Sequence, residues 1–307
     1  MRVGIIGLGR MGAPMSGNVL AAGHDLVVHD VRPDAADGVL AAGASWGDSP
    51  RQAGADRDVV ITMLPGPSQV EEVMLGPGGL LAGLGVGATW IDMSTSIPAM
   101  ADKVRAHAGD RLTVLDAPVA GGVTGARDGT LQIFVGGPAE DYQRLRPLLE
   151  TMGDRERILH VGSHGAGYTV KLMLNLLWFA YVSLTAEALT IGVRAGVDVA
   201  TLRRSLLASA AASHFLEHDV LSVLERGDFD DSFALALACK DLGLAVDLAR
   251  QTGVPAEMSA LVEQIYRRAR AQYGDEGGQM LPMKLLEDLT ATPLRLSSTP
   301  APPAPQE

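Results

Sequence analysis

The 307-residue sequence contains a single cysteine, Cys239, and therefore cannot form an internal disulfide. A chain without disulfides is typical of a reducing compartment, so we expect a cytoplasmic protein in which Cys239 is a buried, inert thiol. Aromatic residues are also scarce, at 4% of the chain, and the core must be filled mainly by Leu, Val, Ile, Ala and the 12 Met.

The sequence lacks a run of basic residues, and its formal net charge is -11. This balance excludes a surface suited to a phosphate backbone, so we expect no nucleic-acid partner.

The longest hydrophobic stretch without a charge lies between Lys171 and Glu187 and contains Asn175. It is shorter than the roughly 20 residues that span a bilayer. The opening MRVGIIGLGRMG is too short in apolar length and too rich in Gly for a signal peptide. We expect a soluble protein without a membrane partner.

The first half of the chain alternates short β-rich runs with helical patterns, which predicts βαβ units and a parallel sheet over residues 1–162. Between Asp116 and Gly137 the sequence leaves no room for a helix, so we expect antiparallel neighbours in the later part of the sheet. The predicted strands are Arg2–Leu8, Asp25–Val31, Asp58–Leu64, Thr89–Ser94, Leu112–Val119, Leu131–Gly137 and Arg157–Val161.

After Gly162 the pattern changes to helical periodicity, which predicts an all-α domain over residues 163–289. A long helix that opens at Gly165 is expected to join the two domains. Residues 290–307 are rich in Pro, Ser and Thr and are expected to form a disordered tail. The predicted helical segments are 165–195, 198–210, 213–226, 232–253 and 255–272.

A dinucleotide-binding fingerprint follows the first predicted strand, where Gly7, Gly9 and Gly12 have G-x-G-x-x-G spacing before a helical pattern. These glycines allow a tight turn, backbone approach to a pyrophosphate and close helix packing. Asp30 follows Gly7 by roughly the expected 20 residues and can accept from ribose hydroxyls, which favours NAD. Arg32 can hold a 2′-phosphate, so NADP stays possible. The alternative is a Gly-rich turn that binds no ligand. The intervening residues assigned to the cofactor are Leu8, Arg10 and Met11.

Two further stretches follow predicted strands, where open α/β sheets bind their ligands. In DMSTSIP, Thr95 can face the nicotinamide end of the cofactor, or a hydroxyl can cap the next helix. In DAPVAGGVTGARDGTL, Gly121 and Gly122 can point consecutive N–H groups at a substrate carboxylate. The alternative there is a Gly-rich hairpin loop.

Lys171 lies in a mostly apolar helical pattern, with Asn175 and Trp178 at i+4 and i+7 on the same face. An unpaired buried ammonium is costly, so a function or a partner must compensate. Beside an oxidised nicotinamide, Lys171 would have a lowered pKa and could serve as general acid/base, with Asn175 orienting it or the substrate oxygen. The alternative is a lysine that reaches solvent or pairs with a distant carboxylate.

Six ordered motifs resemble those of the β-hydroxyacid dehydrogenases, a family that includes 3-hydroxyisobutyrate dehydrogenase. They are GLGRMGAPM, MLPGPSQV, DMSTSIP, DAPVAGGVTGARDGTL, GAGYTVKLMLN and KDLGLA, and the resemblance covers residues 1 to about 288. It implies a Rossmann-like domain, a long connecting helix and a helical C-terminal domain that forms homodimers or homotetramers. It further implies catalytic Lys171 and Asn175, a cofactor side lined by Leu64, Pro65, Thr95 and Lys240, and a small anionic hydroxyacid held by Gly121 and Gly122.

Two residues depart from the family pattern. Ala120 stands where many members have Ser, and Trp178 stands where a small or aliphatic residue is common. Both are candidate substrate-binding positions, so we expect a substrate other than simply 3-hydroxyisobutyrate. Trp178 can equally be a core or interface aromatic, and Lys240 can equally be a surface lysine paired with Asp241.

The sequence argues against two other functions and against a metal site. An imine reductase can be built on a similar scaffold, but such enzymes usually have another residue at the position of Lys171. A catalytically silent cofactor-binding module would be expected to lose this lysine. His214 and His218 have metal-ligand spacing without a third ligand nearby, and we expect no metal site.

Overall fold

The computed structural model describes residues 1–230 and 232–296. It contains two compact units, Met1–Leu174 and the part of the chain from Asn175 onward. This division lies twelve residues after the predicted boundary at 162/163 and falls within one long helix, Ala166–Arg194.

The first unit contains a nine-stranded sheet with the order β3-β2-β1-β4-β5-β6-β8-β7, in which β9 also pairs with β8. The strands β1 to β6 are parallel, as the alternation of strands and helices predicted. The strands are β1 Arg2–Ile6, β2 Asp25–His29, β3 Ser45–Trp46, β4 Val59–Thr62, β5 Ala88–Asp92, β6 Leu112–Asp116, β7 Val119–Ala120, β8 Leu131–Gly136 and β9 Gly153–Gly162.

Both faces of this sheet are covered by helices. Along β1, Val3 and Ile5 belong to one buried cluster and Ile6 to another, because alternate side chains point to opposite faces. A parallel sheet buried on both faces is the doubly wound arrangement that the sequence predicted. The helices are α1 Gly12–Ala21, α2 Asp37–Ala41, α3 Pro50–Gly54, α4 Pro67–Leu75, α5 Pro98–Ala108, α6 Gly122–Asp128, α7 Ala139–Leu149 and the first turns of α8, Ala166–Arg194.

The stretch between Asp116 and Gly137 was predicted partly wrongly. It does contain a helix, the seven-residue α6, which fits because Gly121 and Gly129 adopt left-handed conformations at its two ends. The expectation of antiparallel neighbours is confirmed, since β8 runs antiparallel to both β6 and β7. The strands β3 and β7 were not predicted, because two residues are too few to show a period.

The second unit is helical in its described residues. Gly196 ends α8 in a left-handed conformation, and Asp198 caps α9 by accepting a hydrogen bond from Thr201 N. The helix α13 was not predicted, although Pro282 near its start is a helix-opening signal. The elements after α8 are α9 Val199–Leu207, a π-helical turn Phe215–Asp219, α10 Leu221–Arg226, α11 Leu235–Thr252, α12 Glu257–Tyr273 and α13 Leu281–Thr290.

The predicted disordered tail is wrong for residues 290–296. Leu294 is fully buried, and its backbone N donates to Glu287 Oε1 at 3.0 Å. Arg295 pairs with the same carboxylate at 2.7 Å, and Leu296 N donates to Leu224 O. The prediction was wrong because the Pro, Ser and Thr content of the segment gave no weight to Leu294 and Leu296, which pack into the helical core. Residues 297–307 lie outside the described part of the chain.

Among the described residues, one helix, α8, is long and apolar enough to cross a membrane by length and composition. Several of its residues belong to hydrophobic cores: Tyr168 is part of a buried cluster of the first unit, and Phe179 and Val182 are part of buried clusters of the second. Such a helix is weak evidence for a membrane span.

Candidate active site

The turn after β1 needs a glycine at two positions and leaves open space at a third. A Cβ at Gly7, whose φ is +98°, would lie 2.3 Å from Met63 O, and one at Gly12 would lie 1.9 Å from Gly7 O. A Cβ on Gly9 would meet nothing within 4 Å. The turn is therefore closed at Gly7 and Gly12 and open above Gly9, which fits the approach of a dinucleotide pyrophosphate to the backbone.

Asp30, directly after β2, connects this turn to the end of the neighbouring strand. Its carboxylate accepts hydrogen bonds from Leu8 N at 2.7 Å and from Arg32 N at 2.8 Å. The exposed Arg32 guanidinium lies 3.9 Å from the same carboxylate. The two side chains that bear on the choice between NAD and NADP are thus neighbours. Of the other residues assigned to the turn, Arg10 is exposed and Met11 half-buried.

The loops after β4 and β5 are joined by Ser94, which the sequence reasoning missed. Leu64 N donates to Ser94 Oγ at 2.9 Å, and Ser94 N donates to Asp92 Oδ1 at 3.1 Å. Beside them, Pro65 is exposed and Thr95 is half-buried. The N-cap position of α5 is Ile97, so no hydroxyl of this stretch occupies the N-cap itself.

The Gly121–Gly122 stretch follows β7 and opens α6. Both glycines have positive φ, +119° and +62°, and both are exposed, whereas Ala120 is half-buried. The stretch connects the antiparallel strands β7 and β8, as the hairpin alternative implies, but the connection contains the helix α6. Consecutive backbone N–H groups in such conformations can form a concave anion site.

Two buried carboxylates hold the first turn of α8 against the sheet, and neither was assigned a role from the sequence. Asp116, at the end of β6, accepts from Gly165 N at 2.8 Å and from Tyr168 N at 3.2 Å. Asp92, at the end of β5, accepts from Tyr168 Oη at 2.7 Å and from Thr62 Oγ1 at 2.8 Å. Lys171, half-buried, follows Tyr168 by three residues in the same unit.

Burial dominates the electrostatics of this pair. Desolvation raises the pKa of Asp116 to about 6, against the lowering effect of the backbone N–H donors. Desolvation also raises the pKa of Asp92, and it raises the pKa of Tyr168, whose hydroxyl therefore stays a donor.

In the second unit, Asp241 connects Asn175 with Lys240. Its carboxylate is almost fully buried and accepts from Asn175 Nδ2 at 2.6 Å through Oδ2. Lys240 Nζ lies 2.7 Å from the other oxygen, an ion pair without hydrogen-bond geometry. The pairing of Lys240 with Asp241 is therefore present, but it is not a simple surface contact, because the lysine side chain is half-buried at 25% exposure and the aspartate is 1% exposed. Asp241 thereby fixes the amide of Asn175, four residues after Lys171 along α8.

Trp178 is partly buried in the core of the second unit, where its ring contacts Phe179 and Phe215 edge-on at 5.4 and 5.7 Å. These contacts match the core role that the sequence left open. Cys239 is buried as expected, and burial raises the pKa of its thiol.

His214 and His218 have their rings 4.6 Å apart, with Asp219 beside His214. In the described part of the chain, no group of three or more His, Cys, Asp or Glu side chains could hold a metal ion.

Two family models match the chain, one to each half. The NAD binding domain of 6-phosphogluconate dehydrogenase matches residues 2–162, and the NAD-binding domain of NADP-dependent 3-hydroxyisobutyrate dehydrogenase matches residues 165–286.

Curated relatives and solved structures give the same assignment. A 3-hydroxyisobutyrate dehydrogenase of Pseudomonas aeruginosa is 40% identical over 90% of this chain and 94% of its own length. An NAD-dependent L-serine dehydrogenase of the same organism is 40% identical over 87% of this chain and 91% of its own length. The Mycobacterium tuberculosis 3-hydroxyisobutyrate dehydrogenase, solved with L-serine, is 33% identical, covers 93% of this chain and 99% of that one, and has a TM-score of 0.85.

Imine reductases are more distant. That of Streptomyces aurantiacus is 20% identical with a TM-score of 0.55, covering 93% of this chain and 99% of that one. This likeness shows a common fold alone.

Proposed function

Given that the chain belongs to the β-hydroxyacid dehydrogenase family and is an NAD(P)-dependent oxidoreductase of short β-hydroxyacids, we propose that Lys171 is its general acid/base. The observation that carries this proposal is the anchoring of α8 within the first unit. The first turn of α8 is hydrogen-bonded to Asp116 and Asp92, at the carboxyl ends of β6 and β5. Parallel α/β sheets bind their ligands at this edge, where the Gly7 turn also lies.

The remaining roles follow from the chemistry of the transfer. A nicotinamide dinucleotide held at the Gly7–Gly12 turn would supply the acceptor or donor of the hydride. Lys171 takes the proton of the substrate hydroxyl during oxidation and returns it during reduction. Asn175, fixed by Asp241, orients the substrate oxygen or the amine, and the N–H groups of Gly121 and Gly122 bind the carboxylate.

We propose that the Gly7–Gly12 turn holds the cofactor and that Leu64, Pro65 and Thr95 line its nicotinamide side. The family pattern adds Lys240 as a further candidate for cofactor binding. Asp30 favours NAD, because its carboxylate can accept from both ribose hydroxyls and repels a 2′-phosphate. The neighbouring Arg32 guanidinium can bind a 2′-phosphate, so NADP remains a possible, weaker cofactor.

We propose a short β-hydroxyacid substrate other than simply 3-hydroxyisobutyrate. Ala120 lacks the hydroxyl that many family members carry at this position, which removes one hydrogen-bonding group for the substrate. The relatives named for L-serine or solved with it support a tolerance for polar β-hydroxyacids.

The substrate proposal is tested by reduced-nicotinamide absorbance with a panel of 3-hydroxyisobutyrate, L-serine, other short β-hydroxyacids and cyclic imines. We expect the highest kcat/KM for a β-hydroxyacid other than 3-hydroxyisobutyrate. A panel led by 3-hydroxyisobutyrate would refute the substrate proposal, and one led by an imine would refute the function itself.

We also propose a cytoplasmic homodimer or homotetramer. The second unit exposes Leu177, Leu184 and Ile191 along α8 at seven-residue spacing, with 56%, 51% and 67% of each residue's surface accessible. Residues seven apart lie on one helix face, and an apolar stripe of this kind supports contact with a second copy. Sedimentation equilibrium tests this, and a concentration-independent monomer mass would contradict it.

A further inference from the structure

The N-terminus of α8 is capped by a carboxylate from a distant strand. The first N–H groups of a helix have no partner within it, and a side chain just before the helix usually supplies one. Here Asp116, 49 and 52 residues earlier in the chain, accepts from Gly165 N and Tyr168 N. Its charge also complements the positive end of the helix dipole. The cap therefore fixes the helix to β6 as well as satisfying its end.

Two glycines let the backbone of this turn approach the sheet closely. A Cβ at Gly167 would lie 2.4 Å from Phe134 O and 2.7 Å from Asp116 O. A Cβ at Gly136 would lie 2.5 Å from Asp116 Oδ2. A side chain at either glycine would push the turn away, so the local sequence is fitted to one position of the helix.

A second link fixes the same turn through a side chain. Tyr168, fully buried, donates its hydroxyl to Asp92, which also accepts from Thr62. Trp90 Nε1 donates to Thr62 Oγ1 at 2.9 Å and extends the chain of hydrogen bonds across β4 and β5. Asp92 and Asp116 are paired neighbours on adjacent strands, so two carboxylates are buried side by side.

Burying these two carboxylates costs more free energy than capping a helix requires. Buried carboxylates are expensive, and a neutral Ser or Asn would satisfy the same N–H groups. The two carboxylates also connect two strands to one helical turn. Asp116 binds the backbone N–H groups of the turn, and Asp92 binds the hydroxyl of Tyr168.

We propose that Asp92 and Asp116 are positioning residues that act through Tyr168 to fix Lys171 at the carboxyl edge of the sheet. The inference rests on the proposed role of Lys171 as general acid/base. Lys171 lies three residues beyond Tyr168, about 4.5 Å along a continuous helix, so a displaced first turn displaces the amine with it.

The test is Tyr168→Phe, which removes the hydroxyl and keeps the ring. A misplacement of about 1 Å can cost roughly 100-fold in rate, and we expect kcat to fall by about 10- to 100-fold. The dissociation constant for NADH should stay within about 2-fold, because the Gly7 turn is held separately by Asp30. The matched control is Tyr142→Phe, which loses a buried bond from the hydroxyl to Ile158 O in the same unit. It should keep the wild-type kcat.

A double-mutant cycle with Lys171→Ala, measured by single-turnover hydride transfer, separates positioning from a general loss of structure. Positioning predicts that Tyr168→Phe lowers the rate in the wild type and has no further effect in Lys171→Ala. Two outcomes would overturn this inference alone. One is that Tyr168→Phe lowers the rate of hydride transfer equally in the wild type and in Lys171→Ala. The other is that Tyr168→Phe keeps the wild-type rate while Lys171→Ala is inactive. A fully active Lys171→Ala would overturn the proposed function and the inference with it. If Tyr168→Phe does not fold, Asp116→Asn takes its place in the same cycle.

Discussion

Replacing two glycines of the same turn by alanine should have opposite consequences. At Gly12 the new Cβ would lie 1.9 Å from Gly7 O, more than 1 Å closer than real Cβ contacts approach. The obstructing atom is backbone and cannot rotate away, so Gly12→Ala should destabilise the fold by about 3 kcal/mol or more. At Gly9 the Cβ meets nothing within 4 Å, so Gly9→Ala should leave stability unchanged or raise it by about 0.4–1 kcal/mol.

The affinity for NADH should be lowered in Gly9→Ala, the variant whose stability is unharmed. In Gly9→Ala the methyl group occupies the space through which the pyrophosphate approaches, and we expect NADH to bind at least about tenfold more weakly, a loss of about 1.4 kcal/mol. Urea unfolding gives the stability and NADH fluorescence titration gives the affinity. A Gly9→Ala protein that binds NADH like the wild type would refute the assignment of this turn to the cofactor. A Gly12→Ala protein of undiminished stability would refute the packing argument.

Three further predictions concern buried or paired carboxylates. Asp241→Ala should lower the free energy of unfolding by about 1–3 kcal/mol in urea, because the buried Asn175 amide loses its acceptor, and unchanged stability would contradict this. Asp30→Ala should shift the ratio of NADP to NAD affinity toward NADP by about tenfold in fluorescence titrations, since Arg32 remains, and an unshifted ratio would argue against Asp30 as the selector. Burial raises the pKa of Asp116 to about 6 from 3.8, so its stabilising contribution is full below about pH 3.8 and is lost as the pH rises to about 6. Relative to Asp116→Asn, the free energy of unfolding of the wild type should fall by about 3 kcal/mol across that pH range. Urea unfolding at a series of pH values measures this, and parallel curves for the two proteins would contradict the burial argument.

The sequence predicted those features that depend on residues close together in the chain. The strand, the Gly7–Gly12 turn and Asp30 all fall within about thirty residues, and their spacing alone indicates a dinucleotide site. The helix α6 was missed because seven residues between glycines show no helical period. Its place next to β8 depends on the order of the sheet, which local patterns do not carry.

The carboxylates that hold the first turn of α8 and the amide of Asn175 could not be predicted. Asp116 reaches α8 across 49 residues, and Asp241 reaches Asn175 across 66. Asp116 is the last residue of a strand and Asp241 lies within a helix, and sequence alone does not indicate which donor either of them faces. The motifs DAPVAGG and KDLGLA drew attention to their glycines and lysine, whereas the structure assigns defined contacts to their aspartates.

We propose that the amine of Lys171 carries the substrate proton during hydride transfer. The most direct measurement compares turnover and NADH affinity of Lys171→Ala with those of the wild type, using the best substrate of the panel. We predict that turnover falls by at least about 100-fold while the NADH dissociation constant stays within about 2-fold, consistent with the loss of a general acid/base. Turnover near the wild-type rate in Lys171→Ala would contradict the account.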